Sequence, residues 1–159
     1  AAGQDRQAQA ALAALATSRT HAYRAMALLT QGDLLARARD TRGAAARYAA
    51  VANDASLEPP FRDLALLRET AAEFDTVAPQ VVIDRLRPLV RTDGAWYGSA
   101  GEMTAIAYLR QGRRDLATRL FSQIGRTDTV PESIRQRVVQ MATANGGDAA
   151  PSTGAPPQP

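Results

Sequence analysis

Alanine dominates this sequence and limits the kind of core that it can build. The chain holds 34 alanines among its 159 residues, whereas aromatic side chains make up only 5%. Alanine has the highest intrinsic helix propensity and lets helix axes approach closely, but sheets need β-branched and aromatic faces. With 45% apolar residues the chain can still bury a core. The sequence therefore predicts an all-α fold and argues against a β-sandwich or barrel.

Apolar residues at spacings of three and four divide the chain into about eight helices. Pro59, Pro79 and Pro131 are expected to open helices, because the first helical turn does not need the missing N–H. The predicted domain covers residues 1–145, and a disordered Pro/Ala/Gly tail follows at 146–159. Within the domain we expect an N-terminal helix (5–16), repeats at about 22–54, 59–91 and 97–125, and a capping helix (131–144).

A set of small and aromatic residues recurs at a single separation of 73 residues. This separation equals two units of about 36, close to the tetratricopeptide repeat of 34, in which small and aromatic side chains let paired helices approach. We therefore predict a tetratricopeptide-repeat-like solenoid, a right-handed superhelix of antiparallel helix pairs, in preference to a bundle with coincidental spacing. The recurring residues are Gly32, Leu35, Ala44 and Tyr48, matched by Ala105, Tyr108, Ala117 and Phe121.

The charge pattern argues against nucleic-acid binding. All 19 basic residues are arginines, and they exceed the acids by only three. Charges of both signs alternate along the chain, as in Arg113-Arg114-Asp115. A nucleic-acid-binding protein is expected to collect its positive surplus on one face.

Residues suited to catalysis or metal binding are few and scattered. The chain has no cysteine and a single histidine, His21, which excludes thiolate sites and histidine clusters. Glu69 and Glu73 share a helix face that we interpret as solvated, and Asp33 and Arg37 have the spacing of a surface ion pair. We therefore predict no enzyme activity, no cofactor and no metal.

Several stretches carry the packing and turn motifs of a known family: 23–29, 40–44, 54–57 with 62–65, 95–115, and 130–135. Over Ala10–Met141 the chain resembles the tetratricopeptide-repeat-like periplasmic domain of the YfgM family, the ancillary subunit of the bacterial SecYEG translocon. The resemblance implies a non-catalytic protein-binding scaffold on the periplasmic side of the inner membrane. It also implies an N-terminal membrane anchor outside this sequence, and contacts with the translocon, a membrane-bound periplasmic chaperone or exported chains.

Stacked helical hairpins curve, and the first helix of each hairpin lines the concave side. Apolar, acidic and arginine side chains on that side suit an extended peptide or a partner's helix. Two alternatives remain: the N-terminal helix or the tail fills this groove, or the chain is a soluble module that self-associates through its terminal helix. The predicted concave face consists of Met26, Leu29, Asp33, Arg37, Arg68, Ala72, Glu102, Ile106 and Leu109.

Overall fold

A computed structural model describes residues 2–147 of the chain, with side chains from residue 7 onward. This part of the protein is all-α and contains no strand, which confirms the predicted fold class. A short 3-10 turn, Arg87–Leu89, follows the fifth helix. The eight α-helices are α1 (Ala2–Ala16), α2 (His21–Arg37), α3 (Thr41–Ala52), α4 (Pro59–Glu73), α5 (Pro79–Leu86), α6 (Tyr97–Arg110), α7 (Arg114–Gly125) and α8 (Glu132–Ala144).

The three prolines that the sequence predicts at helix starts are found there. Pro59 and Pro79 are the first residues of α4 and α5, and Pro131 immediately precedes α8. Pro88 lies in the 3-10 turn that ends α5, since its ring cannot continue the α-helical hydrogen bonds. The predicted tail at 146–159 falls almost entirely outside the described residues.

The chain divides into two compact units, Ala1–Val77 with α1–α4 (unit 1) and Ala78–Pro159 with α5–α8 (unit 2). This boundary falls inside the predicted repeat at 59–91, so the two helices of that repeat belong to different units. The single domain over 1–145 and its right-handed superhelix stay predictions.

The two units have the same helix pattern, displaced by 73 residues. Adding 73 to the residue numbers at the two ends of α3 gives the two ends of α7. The same shift takes the first residue of α4 to the first residue of α8. The recurring separation in the sequence is therefore the displacement between equivalent helices of the two four-helix units.

Each unit has its own apolar core, and five residues of each core stand at equivalent positions. Six of the eight recurring residues are buried, and Leu35 and Tyr108 pack against the cores of their units. Gly32 is required by close approach, because a Cβ there would overlap the ring of Tyr48. The unit 1 core contains Ala25, Leu29, Ala44, Tyr48, Val51, Leu57 and Ala65. The unit 2 core contains Tyr97, Ala105, Ala117, Phe121, Ile124, Val130, Val138 and Ala142.

The turn after the second helix of each unit repeats the same backbone geometry. Arg39 has a φ of 64° and its equivalent Gly112 a φ of 74°, both left-handed. In each turn the following residue donates its N–H to a carbonyl five residues earlier, Asp40 to Leu35 and Arg113 to Tyr108, both at 2.9 Å. These bonds satisfy helix-end carbonyls, as in a Schellman motif.

Candidate protein-binding surfaces

Asp33 lies at the centre of a polar cluster in unit 1. Both of its carboxylate oxygens accept from Nη1 of Arg68, at 2.9 and 3.0 Å, and Oδ1 also accepts from the Tyr48 hydroxyl at 2.7 Å. The expected surface ion pair between Asp33 and Arg37 is therefore wrong. Asp33 instead faces α4, because Arg68 on that helix approaches it in the folded unit. Asp33 and Arg68 are the two of the nine predicted residues that form an ion pair with each other.

Leu29 is not accessible to a partner. Its side chain is only 4% exposed and belongs to the unit 1 core with Ala25 and Val51. Ala25, Leu29 and Gly32 follow a helical spacing and together form the face of α2 that packs inside the unit. The expectation that Leu29 lines an open groove is therefore wrong.

The opposite side of α2 is an exposed stripe that we call the α2 stripe. It includes Met26 and Arg37 of the predicted face. Tyr23, Met26 and Leu34 on this stripe are 61%, 55% and 42% exposed, and they are three of the five large apolar side chains exposed in the described part of the chain. The α2 stripe consists of Tyr23, Met26, Thr30, Leu34 and Arg37.

The other predicted residues are tied into their own units. Ala72 packs against the unit 1 core, and Ile106 and Leu109 pack against the unit 2 core. Glu102 forms an ion pair with Arg137 of α8. Sequence reasoning missed Arg137, although both ion pairs join residues 35 positions apart, Asp33 with Arg68 and Glu102 with Arg137. The sequence did contain a signal for Arg137: in each unit an acid and an arginine stand about one repeat length apart.

Two polar contacts shift pKa values in unit 1. Hydrogen bonds from Ser56 and from Arg24, the latter at 2.6 Å, hold the pKa of Asp54 well below its usual range. Burial, and then the hydrogen bond to Asp33, raise the pKa of Tyr48 to about 12. Arg24 and Asp54 have Tyr97 and Thr127 as equivalents in unit 2, and that pair also forms a side-chain hydrogen bond.

His21 and the acidic residues were the candidates for catalysis or metal binding. Nδ1 of His21 lies 3.2 Å from the carbonyl oxygen of Ser56, at the surface of unit 1. Among the side chains described between residues 7 and 147, no three from His, Cys, Asp or Glu converge on a position that could hold a metal ion. Within residues 2–147 no helix combines the length and the hydropathy needed to cross a membrane.

Each unit contains a cleft between its first three helices. Cleft 1 in unit 1 has a volume of about 270 Å³, and cleft 2 in unit 2 about 260 Å³. Cleft 1 is lined by Gln9, Leu12, Gln31, Leu34, Leu35, Ala38 and Arg47. Cleft 2 is lined by Ile83, Arg87, Val90, Thr104, Tyr108, Leu116, Arg119, Leu120 and Gln123.

A third hollow of about 360 Å³ lies beside the start of α6 and is lined by Trp96, Val130 and Ile134 among others. The sequence predicts a packing role for Trp96 and Tyr97. Tyr97 is in the unit 2 core and Trp96 is half-buried at the edge of this hollow.

Comparison with family models, with curated proteins and with solved structures gives no match to this chain.

Proposed function

We propose that this chain is a non-catalytic protein-binding scaffold and that unit 1 docks a partner polypeptide on the α2 stripe. The observation that carries the proposal is the exposure of Tyr23, Met26 and Leu34 along one face of one helix. Exposed apolar side chains that line up in this way mark protein interaction sites more often than isolated ones do. Arg37 at the end of the stripe adds a cation that can pair with a partner's carboxylate.

The resemblance to the YfgM family suggests which partners to test. We propose a membrane-anchored subunit on the periplasmic side of the bacterial inner membrane, with the SecYEG translocon, a membrane-bound periplasmic chaperone or exported chains as partners. The tetratricopeptide-repeat-like superhelix belongs to the same proposal. The matching helix patterns of units 1 and 2 support it, because repeat proteins are built from such equivalent units.

Binding to purified translocon complex and to purified chaperone tests this function directly. Met26→Asp and Tyr23→Asp are expected to weaken binding about tenfold or more, because a charge at the centre of an apolar interface is costly. Val81→Asp is the matched control, since Val81 is also exposed, at 37%, but lies on α5. Circular dichroism is expected to show full helicity in all three variants.

Two results would contradict the proposal at different levels. Equal binding by Met26→Asp and Val81→Asp would remove the α2 stripe as the docking face. Absence of binding by the unmodified chain to both purified partners would remove the translocon and chaperone assignment.

Self-association through α1 is the second candidate, and Leu15 favours it. This side chain is 44% exposed on α1, although α1 otherwise packs on α2 inside unit 1. Light scattering on the isolated chain is expected to show a dimer under this alternative. Leu15→Asp, or removal of residues 1–18, should then return the chain to a monomer. A chain that is monomeric from the outset would eliminate this alternative.

A further inference from the structure

The α2 stripe has the same spacing when it is counted in either direction. Met26 and Leu34 stand four residues before and after Thr30. Tyr23 and Arg37 stand seven residues before and after the same position. Separations of four and seven residues keep these side chains on one face, because an α-helix has about 3.6 residues per turn. The stripe is therefore symmetric about Thr30 and can pair with a second copy of itself.

Antiparallel pairing of two stripes across a two-fold axis at Thr30 brings complementary side chains together. In a two-fold interface a residue of one copy contacts a different residue of the other copy, and the reverse contact is also made. Met26 of one copy then lies at the level of Leu34 of the other, so that apolar side chains meet. Tyr23 lies at the level of Arg37 in the same way.

The residue at the centre of the stripe suits a close approach of two helices. The hydroxyl of Thr30 donates to the carbonyl oxygen of Met26 at 2.8 Å, so it needs no partner from another molecule. Thr30 is also the smallest side chain of the stripe. A small side chain at the contact lets the helix axes approach, and the longer side chains on both sides can then interdigitate.

Arg37 is a cation without a carboxylate partner in its own unit. It forms no ion pair with any side chain described between residues 7 and 147. In the antiparallel pair it would lie beside the ring of Tyr23, and a guanidinium above an aromatic ring is attracted by the ring electrons. Arg113 makes this contact with Tyr108 in unit 2, with the guanidinium carbon 5.0 Å from the ring centre. The stripe thus provides a partner for its own cation.

The large apolar side chains of the stripe are not required by the four-helix pattern. At the equivalent positions, 73 residues later, unit 2 has Ser99 in place of Met26 and Ala107 in place of Leu34. Ala107 is fully buried, whereas Leu34 is 42% exposed. Small residues therefore suffice at these positions for folding, and the large exposed ones call for a contact with another molecule.

We infer that the α2 stripe binds the α2 stripe of a second copy of this chain, antiparallel and related by a two-fold axis at Thr30. The inference rests on the proposed role of the stripe as a docking face and names the polypeptide that occupies it when the chain is alone. Translocon or chaperone partners would compete with the second copy for this face. The stripe is about 21 Å long, so its interface is at the small end of known interfaces and we expect a micromolar dissociation constant.

Sedimentation equilibrium of the full chain at micromolar to millimolar concentrations tests the pairing. A reversible monomer–dimer equilibrium is expected. Met26→Asp and Leu34→Arg should each weaken dimerisation about tenfold or more, because each places a charge among apolar side chains. Val81→Asp is the matched control, since Val81 is an exposed apolar residue on α5 and its variant should dimerise like the unmodified chain. Circular dichroism verifies that every variant is folded.

The double variant Met26→Asp, Leu34→Arg determines the direction of pairing. In the antiparallel pair each aspartate lies at the level of an arginine on the other copy, so dimerisation should recover most of the loss. In a parallel pair like charges would meet, and dimerisation would stay weak. The two changed residues are about 12 Å apart along one helix, too far for a direct ion pair within one copy.

Thr30→Cys gives a second readout, because the chain has no cysteine of its own. At the two-fold axis the two introduced thiols face each other and should form an intermolecular disulfide under mild oxidation. Met26→Cys is the matched control on the same stripe, since its two thiols would lie about 12 Å apart along the pair. Non-reducing gel electrophoresis measures the cross-linked fraction of both variants.

Each contrary outcome has its own meaning. Equal cross-linking of Thr30→Cys and Met26→Cys, or a double variant that dimerises no better than Met26→Asp, would overturn the antiparallel pairing and with it the inference. A dimer that is lost in Leu15→Asp and kept in Met26→Asp would replace it by self-association through α1. A chain that stays monomeric throughout would also refute it, and translocon or chaperone binding sensitive to Met26→Asp would then leave the proposed function standing.

Discussion

The carboxylate of Asp33 lies within 3.0 Å of Nη1 of Arg68, and the Tyr48 hydroxyl donates to it at 2.7 Å. The equivalent positions in unit 2 are apolar. They are Ile106, Phe121 and Met141, of which Phe121 is in the core and the other two pack against it. The same place in the fold is thus polar in unit 1 and apolar in unit 2.

The reverse exchange occurs one helical turn earlier. Glu102 and Arg137 form the ion pair of unit 2, and their equivalents in unit 1 are Leu29 in the core and Leu64 packed against it. Each unit therefore has one acid–arginine ion pair between its second and fourth helices and, one helical turn away, two apolar residues at the positions where the other unit has its ion pair.

Exchanging the polar cluster for its unit 2 counterpart tests this equivalence. Asp33→Ile alone should destabilise unit 1 by about 1–3 kcal/mol, because the Tyr48 hydroxyl is left buried without its acceptor and Arg68 without its carboxylate. The triple variant Asp33→Ile, Tyr48→Phe, Arg68→Met should recover most of that loss, since apolar groups can replace a paired polar cluster at little cost. Urea unfolding followed by circular dichroism measures both values. A triple variant less stable than the single one would refute the equivalence.

Alkaline pH should destabilise unit 1 through Tyr48. Its folded pKa of about 12 exceeds the ordinary value of 10.0, so above pH 10 the unfolded chain releases this proton while the folded chain retains it. Stability should fall by about 1 kcal/mol between pH 9 and pH 11 and continue to fall towards pH 12. Tyr48→Phe should lose this part of the slope in parallel urea titrations, and Tyr23→Phe, at an exposed tyrosine, should keep it. An identical slope in Tyr48→Phe would contradict the assignment.

Both equivalent turns should favour glycine at the residue with positive φ. Arg39 adopts a left-handed φ, which costs an L-residue about 1–2 kcal/mol. Glycine avoids this cost but loses more conformational entropy on folding, so its net gain in stability is smaller. Arg39→Gly should therefore raise stability by up to about 1 kcal/mol, and Gly112→Arg should lower it by a similar amount. Differential scanning calorimetry measures both changes in Tm. Stabilisation by Gly112→Arg would show that the turn geometry is not the controlling factor.

Two residues of the predicted concave face should respond to aspartate in opposite ways. Leu29→Asp places a charge in the unit 1 core and should lower stability by several kcal/mol, with loss of helical circular dichroism. Met26→Asp, on a side chain that is 55% exposed, should change stability by less than about 0.5 kcal/mol. A folded Leu29→Asp variant would mean that this leucine is not part of the core.

Local signals made the helix boundaries predictable. Pro59 and Pro79 begin helices where the sequence places them, and Pro131 immediately precedes α8. The recurring positions around Gly32 and Tyr48 predict core residues correctly, because small and aromatic side chains at helical spacing have few other roles. The division at Val77 was harder to predict, since the spacing alone does not distinguish a series of two-helix repeats from two four-helix units.

The candidate surface was harder to predict than the core. On α2 the sequence shows apolar residues on two faces, one with Ala25 and Leu29 and one with Tyr23 and Met26. Helical periodicity separates these faces but does not determine which of them the neighbouring helices cover. Asp33 illustrates the same difficulty: its nearest acceptable partner in sequence is Arg37, four residues away, whereas its partner in the fold is Arg68.

Helical class, helix ends and the 73-residue recurrence follow from the sequence alone, because each depends on residues within a few turns of one another or on direct comparison of positions. Tertiary packing decided that Leu29 is buried and Met26 exposed, that Asp33 pairs with Arg68, and that the Thr104 hydroxyl is buried without a hydrogen-bond partner among the described residues. These properties depend on side chains that come from different helices, and only the folded units bring those side chains together.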